Sequence, residues 1–201
     1  MSLQRTSLKV ACSAIMGAMA VIITLFGIEI PYPPLPYLKF DLAEIPSILT
    51  LGLFDVWCAL CVASIHFVAL SFLRGWILGP SMKYIAVVSM ILGFYLGIRL
   101  RRESLSRAFI YGLLMAFVIR CASMSIANYV VLKFISPSFL NYGAECLSRF
   151  LNIDVREIGA MGLIVVFTAI FNVLHTLLSA LPLYVLMREL KRRGILWYEG
   201  L

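Results

Sequence analysis

The chain is a succession of long apolar runs parted by short polar segments, the runs covering about 8–28, 42–54, 56–73, 81–98, 108–135 and 158–187. A helix needs roughly 20 apolar residues to cross the ~30 Å hydrocarbon core of a bilayer. The 201 residues therefore hold about six crossings with short loops and leave no room for a separate soluble domain. Composition points the same way. Hydrophobic residues make up 62% and charged residues 13%, with a mean hydropathy of +0.99, against about 45–50% and about 25% in a soluble domain. The expectation is an all-α integral membrane protein, one membrane domain over 1–201 with six transmembrane helices.

The first run leads into a Pro-rich segment at Pro31, Pro33, Pro34 and Pro36. A cleaved leader would end in a small-residue processing site, so this run reads as a retained first helix. The second run is short and carries Glu44 and Pro46, which makes it either a tilted short crossing or a partly buried, kinked helix. Gly93 and Gly97 stand at GxxxG spacing in the fourth run, a pattern that lets helices pack closely. The segment 136–157 is polar enough for a loop, with room for a surface helix. No strong repeat relates the two halves, so an inverted-repeat carrier is not supported.

A formal net charge of +7 would suggest nucleic acid in a soluble protein. Here the cations gather beside the apolar runs: Arg5 and Lys9 before the first, Arg99, Arg101, Arg102 and Arg107 after the fourth, Arg188, Lys191, Arg192 and Arg193 after the sixth. With six crossings all three clusters face one side, which the positive-inside rule makes the cytoplasm. Both termini are then cytoplasmic and the 1–2, 3–4 and 5–6 loops lie outside. Five crossings would split the clusters across the membrane.

Several polar residues stand out against this background. The stiff segment 31–46 places Lys39, Asp41 and Glu44 at the membrane edge, and its prolines favour extended backbone. It reads either as a rigid connector or as a lid over a pocket. Asn128 and Tyr129 lie toward the outer end of the fifth run, while Asn172 and His175 share one face of the sixth. Such groups either glue helices together or read a polar heterocycle through paired donors and acceptors. Arg120 lies near the middle of the fifth run, where insertion costs about 2.5–3.5 kcal/mol, so it needs a partner, a cavity or a route to the interface. Snorkelling, a subunit contact and substrate binding all remain open for it. Ala14 and Ala18, with Gly17 beside them, give the first helix a small-residue surface for close helix approach.

Other chemistry is poorly represented. Cys58 and Cys61 form a CxxC without a second pair or a nearby His, which reads as apolar packing and not as a redox or metal site. No GxxxxGK[ST], HExxH or GxSxG occurs, so any ATP-derived energy must come from another subunit. The apolar spans also lack the carboxylate pair expected of a proton- or sodium-coupled carrier.

The stretch Tyr37-Leu-Lys-Phe-Asp-Leu-Ala-Glu-Ile-Pro46, after a Pro-rich turn and a first helix bearing Ala14 and Ala18, resembles the riboflavin-specific substrate-binding subunits (S components, RibU) of energy-coupling factor (ECF) transporters. Asn128-Tyr129 and Asn172 resemble that family's ligand-facing positions, and the length and six-helix plan agree with it. The resemblance implies a non-enzymatic, multi-pass protein of the cell membrane. It would capture riboflavin from outside as transported substrate, with no cofactor and no metal, and its first outer loop would close the pocket. Leu38, Lys39, Asp41, Glu44, Asn128, Tyr129, Asn172 and His175 are the ligand-binding candidates. Ala14 and Ala18 would face a membrane coupling subunit driven by two ATPase subunits. His175 stands where the family pattern has a Lys, and His66-Phe67 where it has Lys-Asn. A related flavin or a different water-soluble vitamin is therefore an alternative substrate. A small membrane enzyme acting on lipid is the remaining alternative, and only scattered Ser, His66 and His175 are available to it.

Overall fold

The computed structural model describes residues 2–100 and 104–194; Arg101 and Arg102 of the second basic cluster fall outside them. In chain order the elements are α1 (Ser2–Leu25), β1 (Glu29–Tyr32), β2 (Leu35–Asp41), α2 (Ile45–Leu53), α3 (Val56–Arg74), α4 (Leu78–Leu100), α5 (Leu105–Val130), α6 (Pro137–Leu151), α7 (Val155–Ile158) and α8 (Ala160–Arg192). A π-helical turn, Val131–Ile135, extends α5. Among the described residues α1, α3, α4, α5 and α8 are long and apolar enough to cross a membrane.

Two expectations need correction. The protein is not wholly helical, because the Pro-rich segment forms an antiparallel hairpin in which Glu29 pairs with Asp41 and Pro31 with Lys39. Proline removes a donor and fixes φ, so Pro31–Pro36 cannot carry a helix, and Pro33-Pro34 occupies the turn. The helix expected over 42–54 is the nine-residue α2. At 1.5 Å per residue it spans only about 14 Å. Pro46 stands in its first turn, where a missing amide is tolerated. The linker 136–157 is largely helical, with α6 ended by Asn152 in the left-handed region.

Local signals explain the long helices. The Asp55 side chain caps α3 by accepting from the Cys58 amide, and Gly75 ends that helix at positive φ. Ser104 caps α5 in the same manner. The antiparallel pair α4–α5 is drawn together by glycine. A Cβ on Gly93 would lie 2.4 Å from the Ala116 Cα, and one on Gly97 would lie 2.2 Å from the Tyr111 carbonyl oxygen.

Helices α1 and α3 run parallel. Near their starts Lys9 pairs with Asp55 at 2.6 Å, and past their far ends Glu29 pairs with Arg74 at 2.5 Å. The hairpin and α2 therefore carry the chain back along the molecule. Two apolar clusters result. One packs Ile48, Leu51, Met90, Phe94, Leu183 and Met187. The other, under the hairpin, packs Tyr32, Leu35, Leu147, Ile164 and Phe171.

Candidate functional site

Beneath the hairpin, a cavity of about 360 Å³ opens between α3, α4, α5, α6 and α8. That is within the roughly 300–1,000 Å³ of small-molecule sites. Its walls are mostly apolar, with Leu38, Leu78, Met82, Met124, Phe139 and Phe171 among them. The polar groups that break this surface come from opposite sides. Lys39 and Asp41 descend from β2, Lys83 comes from α4, Asn128 from α5, and Thr168 and Asn172 from α8.

At the mouth, Glu29 accepts from Lys39 Nζ at 2.6 Å and from Arg74 Nη2 at 2.5 Å, tying the hairpin to the end of α3. Burial alone would raise the Glu29 pKa, but the Lys39 hydrogen bond and the charges of Arg74 and Lys39 outweigh it and hold the carboxyl below its ordinary range. Asp41, across from Glu29 in the hairpin, is ion-paired with Lys83, so the same end of the hairpin is tied to α4 as well.

At the floor sits Arg120, 1% exposed. Its guanidinium makes a two-pronged contact with Glu44, at 2.7 Å from Nη1 and 3.0 Å from Nη2. Its Nε donates to Asn172 Oδ1 at 3.0 Å, its Nη1 reaches Met90 Sδ at 3.3 Å, and its Nη2 faces His175 Nδ1 at 3.5 Å. These acceptors match the five N–H groups of an arginine. Arginine only donates, so His175 Nδ1 must accept. The ring proton is then on Nε2, which donates to the Asp41 carbonyl at 3.0 Å. The same logic orients Asn172: its oxygen faces Arg120 and its Nδ2 donates to the Thr168 carbonyl at 2.9 Å. A buried charge without such partners is strongly unfavourable, which is why Glu44 and Arg120 are drawn together from opposite sides of the fold.

Leu38, Lys39, Asp41, Glu44, Asn128, Asn172 and His175 thus all line one cavity. Glu44 is enclosed by the helices, 1% exposed and bound to Arg120. Tyr129 is not brought to the cavity. It is 42% exposed and its hydroxyl accepts from Lys133 Nζ at 2.7 Å. One step along a helix is a turn of about 100°, so Asn128 and Tyr129 cannot share a face. Ala14 and Ala18 are exposed on α1. The opposite face of α1 is buried, with Gly17 set against Ile65. His66 contacts Thr24 on α1 and Phe67 stacks on Tyr84, so neither lines the cavity.

Sequence reasoning passed over Thr168, Lys83, Arg74 and Glu29 as site residues. Lys83, a cation at the start of an apolar run, is the one with a readable signal. Two lining groups have no hydrogen-bond partner although they are buried: Asn128 Nδ2 and Thr168 Oγ1.

No protein-family model matches the chain. Over 120 residues it is 29% identical to the riboflavin transporter RibU of Staphylococcus aureus (strain TCH60), a match covering 59% of this chain. The chain spans about 62% of the length of that curated relative. A solved S component of a bacterial ECF transporter superposes with a TM-score of 0.70 at 23% identity, covering 93% of this chain and 97% of that one. The fold is accordingly that of an S component, a multi-pass membrane protein, and the sequence is RibU-like.

Proposed function

We propose that the chain is the riboflavin-binding S component of an ECF transporter in the cell membrane, capturing the vitamin from outside for uptake by a coupling subunit and two ATPases. The observation that carries this is the largely apolar cavity beneath the hairpin, walled in part by Asn128 and Thr168, whose buried Nδ2 and Oγ1 have no partner within the protein. Buried polar groups normally find partners, and leaving one without costs about 1–3 kcal/mol. A flat aromatic ligand with acceptor atoms on its rim would supply them, and the isoalloxazine ring of riboflavin has carbonyl oxygens and imine nitrogens there. Apolar walls bind the ring, while Asn128, Thr168 and Asn172 orient it. Leu38, Lys39 and Asp41 close over it from the hairpin, and Glu44 and His175 act from behind through Arg120.

The RibU relative supports the choice of vitamin. So does the position of His66-Phe67, a departure from the family pattern that stands away from the cavity. Six crossings, with cytoplasmic termini, follow if α2 and the lower hairpin together make the return between the parallel α1 and α3. Extended backbone at membrane depth is tolerated where it is buried in protein or lines a cavity, which is the situation of 38–44. Ala14 and Ala18, exposed on α1, face the coupling subunit.

The test is to purify the protein from vitamin-replete cells, record its visible absorbance, strip it and titrate with riboflavin while following flavin fluorescence. Copurified flavin and saturable one-to-one quenching are expected, and Asn172→Ala should weaken binding more than tenfold. A colourless protein that quenches no flavin would reject riboflavin, and competition among other vitamins would then identify the substrate.

A further inference from the structure

Arg120 lines the cavity, yet all its N–H groups are met without a ligand: by Glu44, Asn172, Met90 and His175. A cation placed to read a substrate would keep a donor uncommitted. What Arg120 touches instead is the frame of the site, at the hairpin exit and on α8. Glu44 lies where the hairpin enters α2, Asn172 lies on the α8 wall, and His175 holds the Asp41 carbonyl at the end of β2. Contact with Arg120 also determines which way the Asn172 amide faces. With Oδ1 turned to Arg120 and one Nδ2 hydrogen given to the Thr168 carbonyl, the side chain keeps one Nδ2 hydrogen to donate and one Oδ1 lone pair.

We propose that Arg120 is a positioning residue that ties the hairpin exit to the α5–α8 wall and, by fixing the Asn172 amide, makes the cavity present donors to its ligand. The Asn172 wall then offers an N–H to an acceptor atom of the ligand, which deepens the flavin reading and rests on it for the binding arm of the test. The anchoring of the hairpin stands apart from that reading.

Arg120→Lys keeps the charge and loses the planar fork, so it cannot hold Glu44 and Asn172 together. Two measurements apply. In ligand-free protein, amide hydrogens over 41–48 should exchange at least about tenfold faster in Arg120→Lys, while 93–100 in α4 are unchanged. In riboflavin titrations of Arg120→Lys, Asn172→Ala and the double variant, independent effects would multiply. The double variant should fall at least about threefold short of that product, because the two residues act through one contact. A full product of the single effects, or hairpin amides exchanging at the unaltered rate, overturns the proposal. If the unaltered protein binds no riboflavin, the flavin reading falls by itself and the exchange measurement alone decides Arg120. Should Arg120→Lys not fold, Arg120→Met combined with Glu44→Gln removes both charges together, which buried pairs tolerate, and the same measurements are read on it.

Discussion

Asn128 separates ligand binding from stability at a single position. Its Nδ2 has no partner in the ligand-free protein, so removing it sacrifices no hydrogen bond and relieves a buried unpaired group. Asn128→Ala is expected to melt at or above the temperature of the unaltered protein and to bind riboflavin at least about tenfold more weakly; parallel melting and flavin titration check both. Its neighbour gives the control. Tyr129→Phe removes a hydroxyl that meets only Lys133 outside the cavity, so flavin affinity should stay within about twofold. Side-chain type singled out both residues, but only helical phase decides which one faces inward. Arg120 was legible as an anomaly, because a cation in an apolar run must find compensation. Its partner, Glu44, lies 76 positions away in the chain, and no local pattern could join them.

At the level of elements, the hairpin is the part most sensitive to conditions. Glu29 binds Lys39 and Arg74 as a carboxylate, and its pKa is depressed. The stabilisation it brings is therefore present above the ordinary glutamate value of 4.5 and is lost as pH falls through its lower folded value. Hairpin amides in the unaltered protein should lose protection at acid pH, measured against their intrinsic exchange rates at the same pH. Glu29→Gln should show fast exchange already at neutral pH and lose that acid-dependent step. The α4–α5 pair responds to bulk instead. Gly97→Leu puts side-chain atoms into the Tyr111 backbone, and rigid backbone leaves little room to relax, so a loss of about 3 kcal/mol or failure to fold is expected in thermal melts. Gly162, in the first turn of α8 with open space around it, should tolerate Ala and gain about 0.5–1 kcal/mol from reduced backbone freedom. The GxxxG spacing flagged the close approach, whereas the hairpin was visible only as stiffness, because strand pairing depends on where the chain turns.

For the whole molecule, the parallel course of α1 and α3 makes a definite topological demand. If the hairpin side is outside, Ser138 in α6 faces the exterior and Ser106 in α5 the cytoplasm. Both residues are exposed. In a cysteine-free background, Ser138→Cys should react with a membrane-impermeant maleimide in intact cells and Ser106→Cys only after permeabilisation. Labelling of both from outside would reject the six-crossing arrangement. The amino-acid sequence by itself determined that the chain lives in a bilayer, where its long helices fall and which residues are costly enough there to need a purpose. These follow from hydropathy and period, which are local quantities. Only the tertiary structure decided that α2 is a half-length helix, that Tyr129 turns away, and that Glu44, Arg120, Asn172 and His175 form one network. Those outcomes depend on groups distant in sequence meeting in a low-dielectric interior, where each buried donor and charge must be matched by whatever the fold brings within reach.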